Sequence, residues 1–508
     1  HFTDAKAHRL RRATYRHLRR HWQFINELVL FDIHDLVRYG INVYGRDQEP
    51  GFLHATSLYH PDTVSRSLVH DGSGPEPGFK DDDGRWDTRP HKARIQHVNL
   101  EALALWRDIL DGESASDTQM VYTVNSAAAN TMSVLAQAAR VRSLELQFSA
   151  GWHEKGDRIK GRFIAQWGEA DWKDAILQGP HVHVLNPMYK WPNPTMKHNQ
   201  DWSAVDLEVL PADALPVTAY KPSGDRHVYD SAYTHWGSAR APARDLYRIA
   251  WRAMAANTGE RTLIPAAIPP GAAHVNGVFC IGSPDVKATE LMAVQATMGS
   301  LLADFAIRAA PKSGIYQASV DRLPLVSLDH PLLPGLVQRS LRLNCLTDAY
   351  AALWRDAWHP QFVRDRPVLA RFDEWPIEPD WSATSPLRRA ADRRNAQVEI
   401  DALVAMMLGV PIDDLCTIYR TQFAVLYGYD HGAYTFDANG RLVPTEVLQA
   451  WRRKGDAITE VERTAVHPGS GIAYTYELPF GTLDREADMR TAYAEFERRL
   501  AEKTKGSA

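Results

Sequence analysis

The sequence predicts a mixed α/β fold, and three features predict it. A short, β-branched, glycine-bounded run, Gly40-Ile-Asn-Val-Tyr-Gly45, reads as a buried strand behind a basic helical stretch. A regular block over 246–324 passes from strand-like to helix-like periods. Amphipathic spacing over Leu341–Trp358, Leu387–Leu408 and Asp488–Leu500 makes the last part of the chain mainly helical.

The 508 residues exceed one ordinary domain, so roughly two to four are expected. With 44% apolar and 24% charged residues the chain can bury a proper core. No apolar run reaches the roughly 18 residues that a membrane span needs. The opening residues are basic and polar, unlike a signal peptide, and the start at His1 suggests a fragment or a processed product. Cys280, Cys345 and Cys416 are odd in number and far apart, which suits reduced thiols in a cytoplasmic protein. The formal charge of −4 argues against a wholly basic nucleic-acid protein, although a local basic surface suffices for phosphate affinity.

Along the chain, Arg9, Arg11, Arg12, Arg16, Arg19 and Arg20 surround Leu10, Tyr15, Leu18 and Trp22 at helical spacing. Residues 71–90, dense in Gly, Pro and Asp, read as a surface loop. No Ca²⁺-loop spacing follows Asp81, Asp82 and Asp83, so that acidic run reads as a solvated turn. A helix is expected over Ala127 to Val141 and short strands after Leu144. His181 and His183 alternate on a strand-like run, but a zinc site needs two more ligands nearby.

In the block 246–324, Tyr247, Ile249, Trp251 and Ala253 alternate with Arg248, Ala250, Arg252 and Met254, which fits a half-exposed strand. A helix competes, because Arg244, Arg248 and Arg252 sit four apart, and either period puts Arg248 and Arg252 on one face. After a turn at Asn257-Thr-Gly-Glu260, Arg261–Ile268 reads as a second strand, which Pro265 places at an edge or a bulge. Beyond Pro269-Pro-Gly271 come a third strand, Val275–Ile281, and one helix capped by Ser283-Pro284 and running to about Arg308. Leu291, Val294, Met298, Leu301, Leu302 and Phe305 form that helix's core stripe. The polar loop Lys312–Gln317 and Arg322-Leu-Pro324 complete the block.

This order of segments, with Arg261-Thr-Leu-Ile264, Ile268-Pro-Pro-Gly271, a helix and Arg322-Leu-Pro324, resembles the target-recognition domain of type IIG and IIL adenine-specific DNA methyltransferases. Leu18–Leu28, Ile41–Gly45, Phe52-Leu-His54 and His60-Pro61 are similar to the segment C-terminal to the catalytic motif in those proteins. Arg394–Val404, Leu408-Gly409 and Ile418-Tyr-Arg420 resemble the C-terminal part of the methyltransferases of DISARM and BREX phage-defence systems. The resemblance implies the edge of a methyltransferase core over 1–70 and a mixed α/β spacer, or first part of the recognition domain, over 71–240. An α+β recognition core over 241–335 and a helical region over 336–508 complete it.

Such enzymes need a glycine-rich turn under S-adenosylmethionine and an Asn/Asp-Pro-Pro-aromatic loop for the flipped adenine. Neither occurs here; the nearest string, Asn186-Pro-Met-Tyr189, has Met in the second proline position. The resemblance therefore implies a recognition half. Its partners would be double-stranded DNA and an N-terminal methyltransferase half or other defence-complex subunits, with S-adenosylmethionine held outside this chain. No catalytic residue is assigned. Arg248, Arg252 and Arg261 are expected to meet phosphates, with Thr262 also at the DNA; His274, Asn276, Arg308, Lys312, Tyr316, Gln317 and Arg322 surround a loop and turn suited to groove entry. For each of these, ordinary surface solvation is the competing role. A non-catalytic scaffold that binds partner proteins is the competing function.

Overall fold

Helices and strands are mixed along the chain, and the strands form several small sheets. The computed structural model describes residues 2–35, 37–81, 83–110, 114–196, 200–256, 259–310, 314–369 and 377–505. The fold class is the expected mixed α/β.

The basic helix runs from His8 to His17 and hands over to strand Leu18–Ile25. It stops short of Trp22, although the spacing allowed more, because Trp22 and Phe24 bury against Ala55 and Leu58 of strand Gly51–Leu58. Long-range packing overrides local period here. These strands lie in a sheet ordered Arg38–Tyr44, Leu18–Ile25, Gly51–Leu58, Gln96–Asn99, with the central pair parallel. The expectation of a buried strand at 40–45 is corrected: Arg38–Tyr44 is the sheet's edge, with Ile41 49%, Val43 45% and Tyr44 54% exposed. β-Branched content reports a strand, not which side of the sheet is covered. Within the loop over 71–90, Arg85 closes the acidic turn on Asp81 at 3.2 Å, and Asp82 lies outside the described residues.

The block 246–324 is built on an antiparallel sheet ordered Pro265–Ile268, Arg248–Arg252, Val278–Gly282, Gln147–Ser149. Strand wins over helix at 248–252, and Pro265 sits on an edge strand, where its missing N–H costs no ladder bond. Asn257 and Thr258 of the expected turn lie outside the described residues. The half-exposed expectation is corrected, since both faces of Arg248–Arg252 are covered. Ile249 and Trp251 pack on the helical side with Leu291, Val294 and Met298, while Ala250 packs with Ile176, Tyr233 and Trp236 on the other.

The single helix expected to about Arg308 is two, Ala288–Gly299 and Leu301–Ala309, broken at Ser300 in the extended region. Ser300 Oγ accepts the Ala303 N–H and caps the second helix. The first is capped from Lys287, whose N–H goes to Glu290, while Ser283 only closes a turn onto Asp285. All six stripe residues are at most 2% exposed, as their spacing required. In the Pro269-Pro-Gly271 turn, Gly271 has φ +95°, and a Cβ there would come within 2.9 Å of the Lys173 backbone nitrogen. Gly271→Ala is expected to lower stability by about 1–3 kcal/mol, read as a shift in urea midpoint with unchanged slope.

Helices Leu333–Asn344, Ala390–Leu408, Ile412–Gln422 and Arg485–Lys505 carry the C-terminal region. The region also holds a hairpin, Thr464–Val466 with Ala473–Thr475, which shares a small core with helix Thr445–Lys454. The main apolar core joins Tyr15, Leu103, Met292, Leu336, Val404 and Phe496, so it runs across the expected boundaries at 71, 241 and 336. Among the described residues, no helix is long and apolar enough to cross a membrane.

Candidate functional site

The arginines expected to clamp phosphate face inward. Arg248 is 0% exposed and donates to the carbonyls of Leu246 at 3.0 Å and Ala272 at 2.6 Å. Arg252 donates to Gly179 and Val182 carbonyls at 2.8–3.0 Å. Arg261 binds Asp304 at 2.7 Å and the carbonyls of Gly299 and Ser300, while the buried Thr262 N–H meets the same Asp304. Arg308 takes the other oxygen of Asp304 at 3.1 Å and lies over the Phe423 ring. His274 is 0% exposed with Nε2 3.2 Å from Cys280 Sγ; burial, then the Arg248 charge, pushes its pKa down to about 3, so it is neutral. Of the residues expected at DNA, Arg248, Arg261, Thr262 and His274 are thus buried and Arg252 and Arg308 half-buried, with the hydrogen bonds described going to groups of the protein itself. A buried cation must be satisfied locally, and these side chains are part of the sheet's support.

Arg322 is half-buried and reaches back to the Leu110 carbonyl, and Lys312 lies outside the described residues. Asn276 and Tyr316 remain exposed and Gln317 half-buried, at one end of the sheet. The Ala253 N–H bonds the Gly277 carbonyl, the Ile315 N–H bonds the Ala253 carbonyl, and Met254 bridges to Gly314. Loops 253–256, 276–277 and 314–317 thus meet, exposing Met254 by 77% and Tyr316 by 58%. Asn276 Oδ1 accepts the Glu154 N–H at 3.1 Å, which docks the short helix Glu154–Ile159 beside this end. That helix and its exit expose Lys155, Arg158 and Lys160. Sequence reasoning missed these cations, although the run His153-Glu-Lys-Gly-Asp-Arg-Ile-Lys160 was a legible signal.

A separate cleft of about 690 Å³ opens between the 183–208 segment, helix Ala390–Leu408 and the C-terminal hairpin unit. On one wall, His183 Nε2 lies 3.2 Å from Glu260, the Tyr434 hydroxyl donates to the same carboxylate, and Tyr189 packs on the His183 ring at 4.4 Å. Burial pushes the Glu260 pKa up, but the His183 hydrogen bond and charge, Tyr434 and Arg261 outweigh it and bring it down to about 2. On the floor, Arg388 donates to the carbonyls of Leu207, Leu210 and Leu346 at 2.9–3.2 Å. Arg393 donates to those of Leu343, Leu387 and Leu185 at 2.8–3.0 Å. These guanidiniums meet dipoles, and burial followed by the like charge of Arg388 brings Arg393 down to about 9.

His181 and His183 have different surroundings. His181 is buried between the Gln178 N–H and the Val217 carbonyl, while His183 faces the cleft. Among the described residues no cluster of metal-ligating side chains occurs. The two ends of the string Asn186–Tyr189 also line the cleft; Asn186 Oδ1 is taken by the Met188 N–H at 3.0 Å and one Tyr189 face by His183.

Glu260 sets an acid limit. A carboxyl with an ordinary pKa of 4.5 and a folded pKa of about 2 contributes stability above about pH 4.5 and loses it as pH falls to about 2. Urea midpoints measured across that window are expected to fall less steeply in Glu260→Gln than in the natural protein.

No protein-family model matches the chain, and no curated protein matches it.

Proposed function

We propose that this chain docks on duplex DNA and recognises the target sequence for an S-adenosylmethionine-dependent adenine-N6 DNA methyltransferase of a cytoplasmic phage-defence system. The observation that carries this reading is the meeting of Asn276, Tyr316 and Gln317 at one sheet end, beside exposed Lys155, Arg158 and Lys160. The Gln317 amide and the Nδ2 donor of Asn276, whose Oδ1 is engaged by the Glu154 N–H, can meet base edges, an exposed tyrosine adds polar and apolar contact, and cations on the flank hold phosphates and fix register. The resemblance of the motif order in 246–324 to the target-recognition domain of such methyltransferases supports the choice of enzyme class.

The residues described do not fit the cofactor. Asn186 has its carbonyl oxygen occupied, Tyr189 is stacked, and no glycine-rich turn follows a strand, so no catalytic step is assigned to them. Methyl transfer belongs to a separate half of the enzyme under this reading.

The protein is titrated with a pool of duplexes at low salt, and then with the sequence enriched from that pool. Asn276→Ala and Gln317→Ala are each expected to cost about 1–3 kcal/mol against the preferred sequence and little against random DNA. Absence of affinity at low salt, or unchanged sequence preference in both variants, contradicts the reading. One observation favours the scaffold alternative: the exposed Val29, Phe31, Ile41 and Tyr44 form an apolar area beside and along the edge strand Arg38–Tyr44. A protein partner there, without DNA affinity, is the result that would favour it.

A further inference from the structure

We infer that the cleft beside Glu260 is a nucleotide-binding site, taking a base against the Tyr189–His183–Glu260–Tyr434 wall and its phosphate toward Arg388 and Arg393. The inference goes beyond the DNA-docking surface and does not rest on it, because the cleft and the exposed loops use different residues.

Size comes first. A volume of about 690 Å³ falls within the range of small-ligand sites, about 300–1,000 Å³. Charge distribution selects the ligand class. Four other arginines of the cleft already have carboxylates: Arg441 is bidentate on Glu208 at 2.8 and 2.9 Å, Arg394 is paired with Asp488, Arg261 with Asp304 and Arg485 with Asp430. Arg388 and Arg393 donate instead to backbone carbonyls, and one Arg393 bond reaches Leu185, two residues beyond His183. Two adjacent guanidiniums held by dipoles create a positive field that an anion would balance.

The facing wall asks for a ring with donors. Each Glu260 oxygen accepts one hydrogen bond, from His183 or Tyr434, which leaves lone pairs for N–H groups of a ligand. Guanine suits such a carboxylate, since its N1–H and N2–H₂ are adjacent donors, whereas uracil has one N–H on that edge. Tyr434, whose ring lines the cleft beside the Tyr189–His183 stack, supplies aromatic surface on which bases stack regardless of sequence.

The test uses isothermal titration of the full chain with GMP, guanosine, UMP and inorganic phosphate. GMP is expected to bind at least tenfold more tightly than guanosine, UMP or phosphate alone. Glu260→Gln, nearly isosteric, is expected to erase the preference for GMP over UMP while keeping the preference for GMP over guanosine. Thermal melting confirms that this variant folds. Tyr316→Ala is expected to leave GMP affinity unchanged, so failure of the DNA reading and failure of this one are distinguishable. No GMP binding at millimolar concentration, or equal GMP and UMP binding by the natural protein, overturns the inference; so does an unaltered preference in a folded Glu260→Gln.

Discussion

Arg261→Met is expected to lower the unfolding free energy by about 3–5 kcal/mol while leaving DNA affinity per folded molecule unchanged. Asp304 is 0% exposed and collects Arg261, Arg308 and the Thr262 N–H. Removing Arg261 leaves that carboxylate under-compensated in the core. It also strips donors from the Gly299 and Ser300 carbonyls at the break between the two helices. The Gly299 carbonyl lies at the end of its helix, because the chain turns extended at Ser300, whereas the Ser300 carbonyl also accepts the Asp304 N–H at 3.2 Å. Denaturant unfolding reads the loss. A variant of normal stability with lost DNA affinity would restore Arg261 to the phosphate role that its place in the sequence first suggested.

The second large effect belongs to the helical layer. Arg339 and Glu399 lie 2.6 Å apart at 0% and 1% exposure, joining helices Leu333–Asn344 and Ala390–Leu408. The second Glu399 oxygen accepts the N–H groups of Val368 and Leu369, each at 2.8 Å. Arg339→Met leaves a buried carboxylate without its cation and is expected to cost about 3–5 kcal/mol. Adding Glu399→Gln is expected to recover part of that loss, because a neutral amide oxygen still serves both N–H groups and carries no charge. Asp365, the other partner of Arg339, keeps Arg499 at 2.7 Å and needs no rescue. Equal stability of the single and double variants would show that hydrogen bonding, not charge, governs this pair.

How much could be read in the sequence depends on how local each determinant is. Pro265 marked an edge strand, and the stripe from Leu291 to Phe305 marked a buried helical face, since both signals depend on near neighbours. The break at Ser300 was less visible because its stabiliser, the Arg261–Asp304 pair, closes over 43 positions of chain. The inward turn of Arg248 was hidden for a related reason. Alternation shows that two faces exist, but only the distant Ile176 and Trp236 reveal that the second is covered. The exposed cations at 155–160 lay outside the block that motif order singled out, and the Asn276–Glu154 bond brings them to it. The cleft draws on 183–208, 260, 388–397 and 434–476, a gathering that no short-range pattern encodes.

The proposed docking on DNA through one end of the sheet is tested most directly by the salt dependence of duplex binding. Affinity is measured between about 50 and 200 mM salt for the natural protein and for a double variant, Lys155→Ala with Arg158→Ala. Each phosphate contact contributes about 0.9 to the slope of log affinity against log salt, so the double variant is expected to flatten it by about two. Both side chains are exposed, so the variant is expected to keep its fold. An unchanged slope, or no duplex affinity for the natural protein even at the lowest salt, would contradict docking through this surface.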